Sequence, residues 1–192
     1  MNTAPSPQPA AAVVLAERGI ATDDIMASFA LALRERGWWV RGILSTTRWQ
    51  LHGGCAPVLI DIDTCTAYPS CAAPDAFPAA ARDTAAQIVD HMQDIVCNGA
   101  DLAIFHRFTE AEATGGGVAA ELLLTMAAGI PLLTAIRHEE LSAWQAFTPY
   151  RFVLLPPSLE TMFAWIESVW QTRDGAASPG LRPQTSCHPG LQ

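Results

Sequence analysis

Residues 101–147 read DLAIFHRFTEAEATGGGVAAELLLTMAAGIPLLTAIRHEELSAWQAF. Two short apolar runs, 101–105 and 131–136, are each followed by a longer stretch with helical spacing, 117–128 and 139–147. Strands that alternate with helices in this way build a mainly parallel sheet covered on both faces. The same alternation extends outward, predicting further strands at 11–16, 38–45 and 151–155 and helices at 23–36, 76–97 and 158–171. Within the first of these helices Ile25, Phe29 and Leu33 recur four residues apart, so they share one face. The expectation is a three-layer α/β domain over residues 10–172. Residues 48–68 interrupt the pattern: His52-Gly53-Gly54-Cys55 reads as a turn, and Pro57-Val58-Leu59-Ile60-Asp61-Ile62 as a strand. They predict an inserted antiparallel hairpin beside the second strand. Residues 1–9 and 173–192, rich in Pro, Ser, Gly and Gln, read as disordered ends, and no internal repeat is evident.

A chain of 192 residues that is 50% hydrophobic and 16% charged suits one domain with a sizeable core. Its formal charge of -8 argues against non-specific binding to nucleic acid or an anionic membrane, which requires a basic face. A small anion remains a possible partner where positive charge is focused locally. The apolar run 10–16 is too short to span a bilayer and follows no basic residue, so it reads as a first strand, and the expected location is cytoplasmic. Five irregularly spaced cysteines in a chain of this size predict reduced thiols. Six tryptophans, among them Trp38, Trp39, Trp144, Trp165 and Trp170, lie within apolar patterns and predict core packing or a Trp-rich interface with a partner or second copy.

The chain contains no lysine. A phosphate-binding P-loop uses a lysine on the β/γ-phosphates, and Schiff-base chemistry uses a lysine amine, so neither is open to it in the usual form. The turn after the first strand, Glu17-Arg18-Gly19-Ile20-Ala21-Thr22-Asp23-Asp24, has one glycine and three acids instead of a glycine-rich cradle. Thr22 is expected to cap the following helix, with Asp23 and Asp24 complementing the positive end of its dipole. An anion there would meet Arg18 but be opposed by the carboxylates.

Residues 101–147 also resemble a family of small bacterial proteins, a domain of unknown function related to P-loop nucleoside triphosphatases and often found near molybdate transport or nitrogenase genes. The family pattern runs Asn-Lys-Phe-Gly, Gln-Glu-Ala-Glu, a glycine run, Gly-Ile-Pro-Val-Leu-Thr and Trp-x-Ala-Phe. Matching it are Phe108, Glu112, Ala113, Gly115, Gly116, Gly117, Gly129, Ile130, Pro131, Leu133, Thr134, Trp144, Ala146 and Phe147. His106 and Arg107 stand where Asn-Lys is usual, and Thr109 replaces the glycine. Cys55 and Cys71 occupy positions where the family tends to carry cysteines, and the resemblance covers most of residues 11–171. It implies a P-loop-like fold, here degenerate. An active relative of the P-loop class carries an acid for magnesium-bound water after the strand, whereas this chain offers His106 and Arg107. Glu112 reads as helix-start chemistry or, alternatively, as a base.

Open α/β sheets bind ligands beyond the carboxyl ends of their strands. There the chain places Arg18, Thr22, His106, Arg107, Arg137 and His138, with the amides of Gly115, Gly116 and Gly117 leading into a helix. Together they predict a focused anion site. The alternative is that these cations cap helices or pair with Glu139, Glu140 and Asp101. His52, Cys55 and Cys71, with Cys65 nearby, allow a soft-metal site or a reversible disulfide, although their spacing fits no zinc ribbon, and Cys187-His188 is a weaker pair. The functional expectation is a non-hydrolytic accessory protein binding a nucleotide or a metal oxyanion such as molybdate. The competing one is a nucleotide hydrolase or transferase in which arginine replaces the lysine.

Overall fold

The computed structural model of the protein describes residues 10–46, 58–69 and 78–172. Seven strands form one sheet: β1 (Ala11–Ala16), β2 (Val40–Thr46), β3 (Val58–Asp61), β4 (Ala67–Pro69), β5 (Leu102–Phe105), β6 (Leu132–Arg137) and β7 (Phe152–Leu155). Their order is β4-β3-β2-β5-β6-β1-β7. All pairings from β2 to β7 are parallel, whereas β3 runs antiparallel to β2 and β4 antiparallel to β3. The expected hairpin is thus present and lies beside the second strand. The helices are α1 (Thr22–Glu35), α2 (Pro78–Asn98), α3 (Glu110–Ala113), α4 (Ala119–Ala127), α5 (Leu141–Phe147) and α6 (Leu159–Gln171). The sequence periodicity missed α3, whose single turn is too short to show a repeat, and extended the next helix two residues too early.

Side chains of β1 alternate between the two faces of the sheet, as the pleat requires. Ala12 and Val14 join Phe29 and Leu33 of α1 and Trp165 and Ile166 of α6 in one core layer. Ala11 and Val13 face the other layer, with Met92 and Ile95 of α2, Leu122 of α4 and Trp144 of α5. This is why the strands lack a polar face in the sequence. Trp144 is fully buried, with Phe108 edge-on at 5.0 Å, and Trp165 is 4% exposed. Trp38 and Trp170 pack edge-on at 5.9 Å, and Trp39 lies under the Arg41 guanidinium at 5.0 Å. Trp144 and Trp165 are buried and Trp38, Trp39 and Trp170 half-buried, so all five take part in packing. No described helix is long and apolar enough to cross a membrane.

Cys97 is a free, exposed thiol, while Cys65 is disulfide-bonded, so the expectation of reduced thiols throughout fails at that position. The irregular cysteine spacing carried no signal of this. His52, Cys55 and Cys71, the proposed soft-metal set, lie outside the described residues, as do Cys187, His188 and the two ends 1–9 and 173–192.

Gly42 shows how closely the central strands meet. Its φ is 123°, and a Cβ there would collide with the backbone carbonyl of Ile104 on the paired strand β5. A backbone obstacle has no alternative rotamer, so we expect Gly42→Ala to destabilise the fold by about 2 to 3 kcal/mol. Urea denaturation monitored by far-ultraviolet circular dichroism measures this, and an unchanged midpoint would contradict the packing described.

Candidate functional site

The strands β5, β6 and β1 are neighbours in the sheet and parallel, so the turns that leave their carboxyl ends lie side by side. Register makes this concrete: Ala16 pairs with Arg137, and Phe105 with Thr134. Over these ends opens a cleft of about 590 Å³ whose wall includes Arg18, Thr22, Asp23, Arg107, Arg137 and His138. Leu15, Ile20, Glu17, Asp24 and Glu139 also contribute. The wall therefore brings together the three arginines that the sequence places after these strands.

The arginines differ in what already holds them. Arg18 is exposed at the rim and has no ion-pair partner among the described residues. Arg137 donates to Glu140 Oε1 from Nε at 3.1 Å and from Nη2 at 2.5 Å, with Glu139 at 3.7 Å. Glu140 also accepts from the Arg137 amide, fixing the 3-10 turn His138–Glu140 that precedes α5. The pairing alternative thus holds in part for Arg137: Glu140 engages its Nε and Nη2, while Nη1 makes only the 3.7 Å contact to Glu139. Arg107 is held more loosely, with Nη2 at 3.3 Å from both carboxylate oxygens of Asp23. Its Nε is buried and has no hydrogen-bond partner among the described residues.

Thr22 departs from expectation in an instructive way. It was expected as the helix cap, but Ala21 holds that position, without a side-chain bond, and Thr22 is the first helical residue. Thr22 is 3% exposed, and its Oγ1 has no hydrogen-bond partner among the described residues. Asp23 and Asp24 do lie in the first turn, where they complement the dipole. The loop itself uses its own donors, since the Ile20 amide bonds to Glu17 O at 3.2 Å and the Thr22 amide to Ile20 O at 2.9 Å. A phosphate cradle needs such amides turned toward the ligand.

Four expected contributors lie outside the cleft wall. His106 packs against Phe105 with ring centroids 4.9 Å apart, and burial, aided by the Arg107 charge, lowers its pKa to about 4, so it is neutral near pH 7. It supplies no cation. The amides of Gly115 and Gly116 bond to Glu112 O and Ala111 O, closing the end of α3 rather than facing a ligand. Gly117 has a φ of 56°, and a Cβ there would strike the Glu112 carboxylate. That carboxylate accepts from the Thr109 amide at 2.9 Å and the Thr109 hydroxyl at 2.6 Å, so Glu112 performs helix-start chemistry and the glycine run makes room for it.

Sequence reading missed a second polar cluster, near the amino end of β2. Buried Arg41 donates to Asp63 at 3.0 Å and to Asp94 at 2.5 Å, and buried Asp61 accepts from His91 Nδ1 at 3.2 Å and from the amides of Asp63 and Thr64. Burial is the main cause that lowers the His91 pKa, partly countered by the Asp61 charge. The cluster ties the hairpin to β2 and α2. The residues its ion pairs join are 22 to 53 apart along the chain, and only Arg41 amid apolar β2 residues hinted at it.

The fold has a counterpart among solved structures. It resembles a human cancer-related nucleoside triphosphatase, with a TM-score of 0.57 and 8% identity over 88% of this chain and 99% of that one. At that identity the likeness is one of fold alone, a mainly parallel α/β sheet that here carries an antiparallel hairpin. The chain belongs to the family described as "Protein of unknown function (DUF2478)", whose model matches residues 10–165. A curated relative, the "Molybdenum import ATP-binding protein ModC 2" of Bradyrhizobium diazoefficiens strain USDA 110, is 30% identical over 131 residues. The match takes in 66% of this chain but 14% of that protein's length.

The neutral His106 generates a pH expectation. A histidine whose folded pKa is about 4 binds fewer protons in the folded chain than in the unfolded one, where 6.5 applies. Stability is therefore expected to fall as pH drops from about 6.5 toward 4. Replacing the ring by a non-titrating side chain, His106→Asn, should flatten that part of the profile. Thermal melts of both proteins across this range check it, and parallel profiles would contradict the assignment.

Proposed function

We propose that this chain is a non-hydrolytic binding protein for a small anionic ligand of nucleotide size, held at the carboxyl ends of β5, β6 and β1. The observation that carries this reading is the convergence of Arg18 and Arg107, with the unsatisfied Thr22 hydroxyl, on one cleft. A volume of about 590 Å³ falls in the range of small-molecule pockets, which favours a nucleotide over a bare tetrahedral oxyanion. The relative's name joins ATP binding with molybdenum import, so molybdate is the second ligand to test. Against hydrolysis stand the absent lysine, the absence of an acid directly after β5, where His106 and Arg107 follow Phe105, and loop amides engaged within the turn.

Titration calorimetry with ATP, ADP, phosphate, molybdate and tungstate, each with and without magnesium, tests the reading. We expect a nucleotide to bind and Arg107→Ala to weaken it about tenfold or more, as loss of a charge-assisted contact does. Phosphate release from ATP or GTP should stay at background. A steady rate abolished by Arg18→Ala would favour the hydrolase reading, and no heat with any of these probes would remove the nucleotide and oxyanion assignments.

A further inference from the structure

The cleft carries its own competitor for the anion. Asp23 stands in the first turn of α1, and its carboxylate spans Arg107 Nη2 with both oxygens at 3.3 Å. Good charge-assisted bonds between these groups are 2.7 to 2.9 Å long, and the Arg137–Glu140 pair a short distance along the same wall reaches 2.5 Å. The Arg107–Asp23 contact is therefore the weaker, and neither partner is shut off from solvent, with side chains 35% and 27% exposed. Two buried polar atoms of residues that line the same cleft are unsatisfied among the described residues: Arg107 Nε, a donor, and Thr22 Oγ1, which can donate or accept. Thr22 is only 3% exposed, so its hydroxyl is not satisfied by bulk solvent where it stands. Asp23 satisfies neither atom. A ligand oxyanion with several oxygens would satisfy both.

Resting on the cleft reading above, we propose that the Asp23 carboxylate is a resident anion mimic that occupies Arg107 in the empty protein and is displaced by a phosphoanion, which then takes Arg107 through Nη2 and Nε and bonds the Thr22 hydroxyl. Asp23 thereby sets a threshold. Weak monovalent anions do not outcompete a tethered carboxylate, whereas a phosphoanion with more charge and more oxygens does, because it adds contacts the carboxylate leaves unmade. Displaced Asp23 stays at the positive end of α1, where its charge remains favourable.

The experiment measures binding of inorganic pyrophosphate and of ADP to the full chain in EDTA, and again with magnesium, for the wild type and for Asp23→Asn, Arg107→Ala, the double variant and Thr22→Val. Asparagine keeps the size of the side chain and suits a helix start, and Asp23→Ser serves as a second replacement if that variant fails to fold. Expected are an affinity about tenfold tighter in Asp23→Asn, no such gain when Arg107 is already alanine, and a loss of about threefold or more in Thr22→Val. Chloride should inhibit Asp23→Asn more than the wild type. If wild type binds and Asp23→Asn is unchanged or weaker, including weaker only with magnesium as for a cation ligand, the mimic is overturned while the cleft reading stands. If no variant binds either probe, the nucleotide form of the cleft reading fails and this inference with it.

Discussion

The parallel pairing of β1 with β6, and of β6 with β5, is the constraint on which the rest depends. Because these strands run in one direction, their carboxyl ends and the turns that leave them fall on one edge of the sheet. Residues 18, 107 and 137, far apart in the chain, meet there for that reason alone. The pairing is itself secured from both sides: alternate β1 residues enter two core layers, so sliding β1 by one residue would exchange the layers and leave Val13 and Val14 on the wrong helices. The site is loop chemistry held by a rigid scaffold.

What distinguishes this cleft from a phosphate cradle is where its donors are spent. The Ile20 and Thr22 amides close their own turn, the Gly115 and Gly116 amides close α3, and the Arg137 guanidinium is bound by Glu140. A lysine could not be replaced by any of these, since each is already part of the fold. Arg107 and Thr22 are different: each has a buried polar atom with no partner among the described residues, which is unfavourable in an empty site and turns favourable when a ligand satisfies it. Arginine also suits this geometry better than it would a tight loop, because its fork can take a multi-oxygen anion through two nitrogens.

Much of the fold was legible because it rests on local patterning. Ile25, Phe29 and Leu33 repeat at helical spacing, the strands are short apolar runs, and Pro57 to Ile62 announces a strand in a segment that breaks the alternation. The strand ends likewise foretold that Arg18, Arg107 and Arg137 would converge. The rest depended on angles and register that no spacing records. Thr22 looked like a cap, yet a one-residue shift of the helix start made it a buried, unpaired hydroxyl. Gly115, Gly116 and Gly117 looked like an anion nest, yet Glu112 folds back under them. His106 looked like a cation, yet burial keeps it neutral. The Arg41, Asp61, His91 and Asp94 cluster joins β2, β3 and α2, and its partners are too far apart in the chain for any motif to show.

The charge balance of the wall bears on how such a site selects. Three arginines face four carboxylates, Glu17, Asp23, Asp24 and Glu139, within a chain of net charge -8. A cleft of this kind does not draw anions in by a long-range field, unlike sites where one sign of charge is focused. Selection must come at contact, from the difference between the bonds a ligand makes and the internal pairs it breaks. On the reading proposed above, small anions would fare poorly in that exchange, because they offer too few oxygens to reach Arg107 Nη2, its Nε and the Thr22 hydroxyl together. A ligand that also reaches Nε and the Thr22 hydroxyl recovers more than it displaces, so the same internal pairs that weaken attraction sharpen discrimination. An acidic protein can thus hold an anionic ligand without becoming a general anion trap.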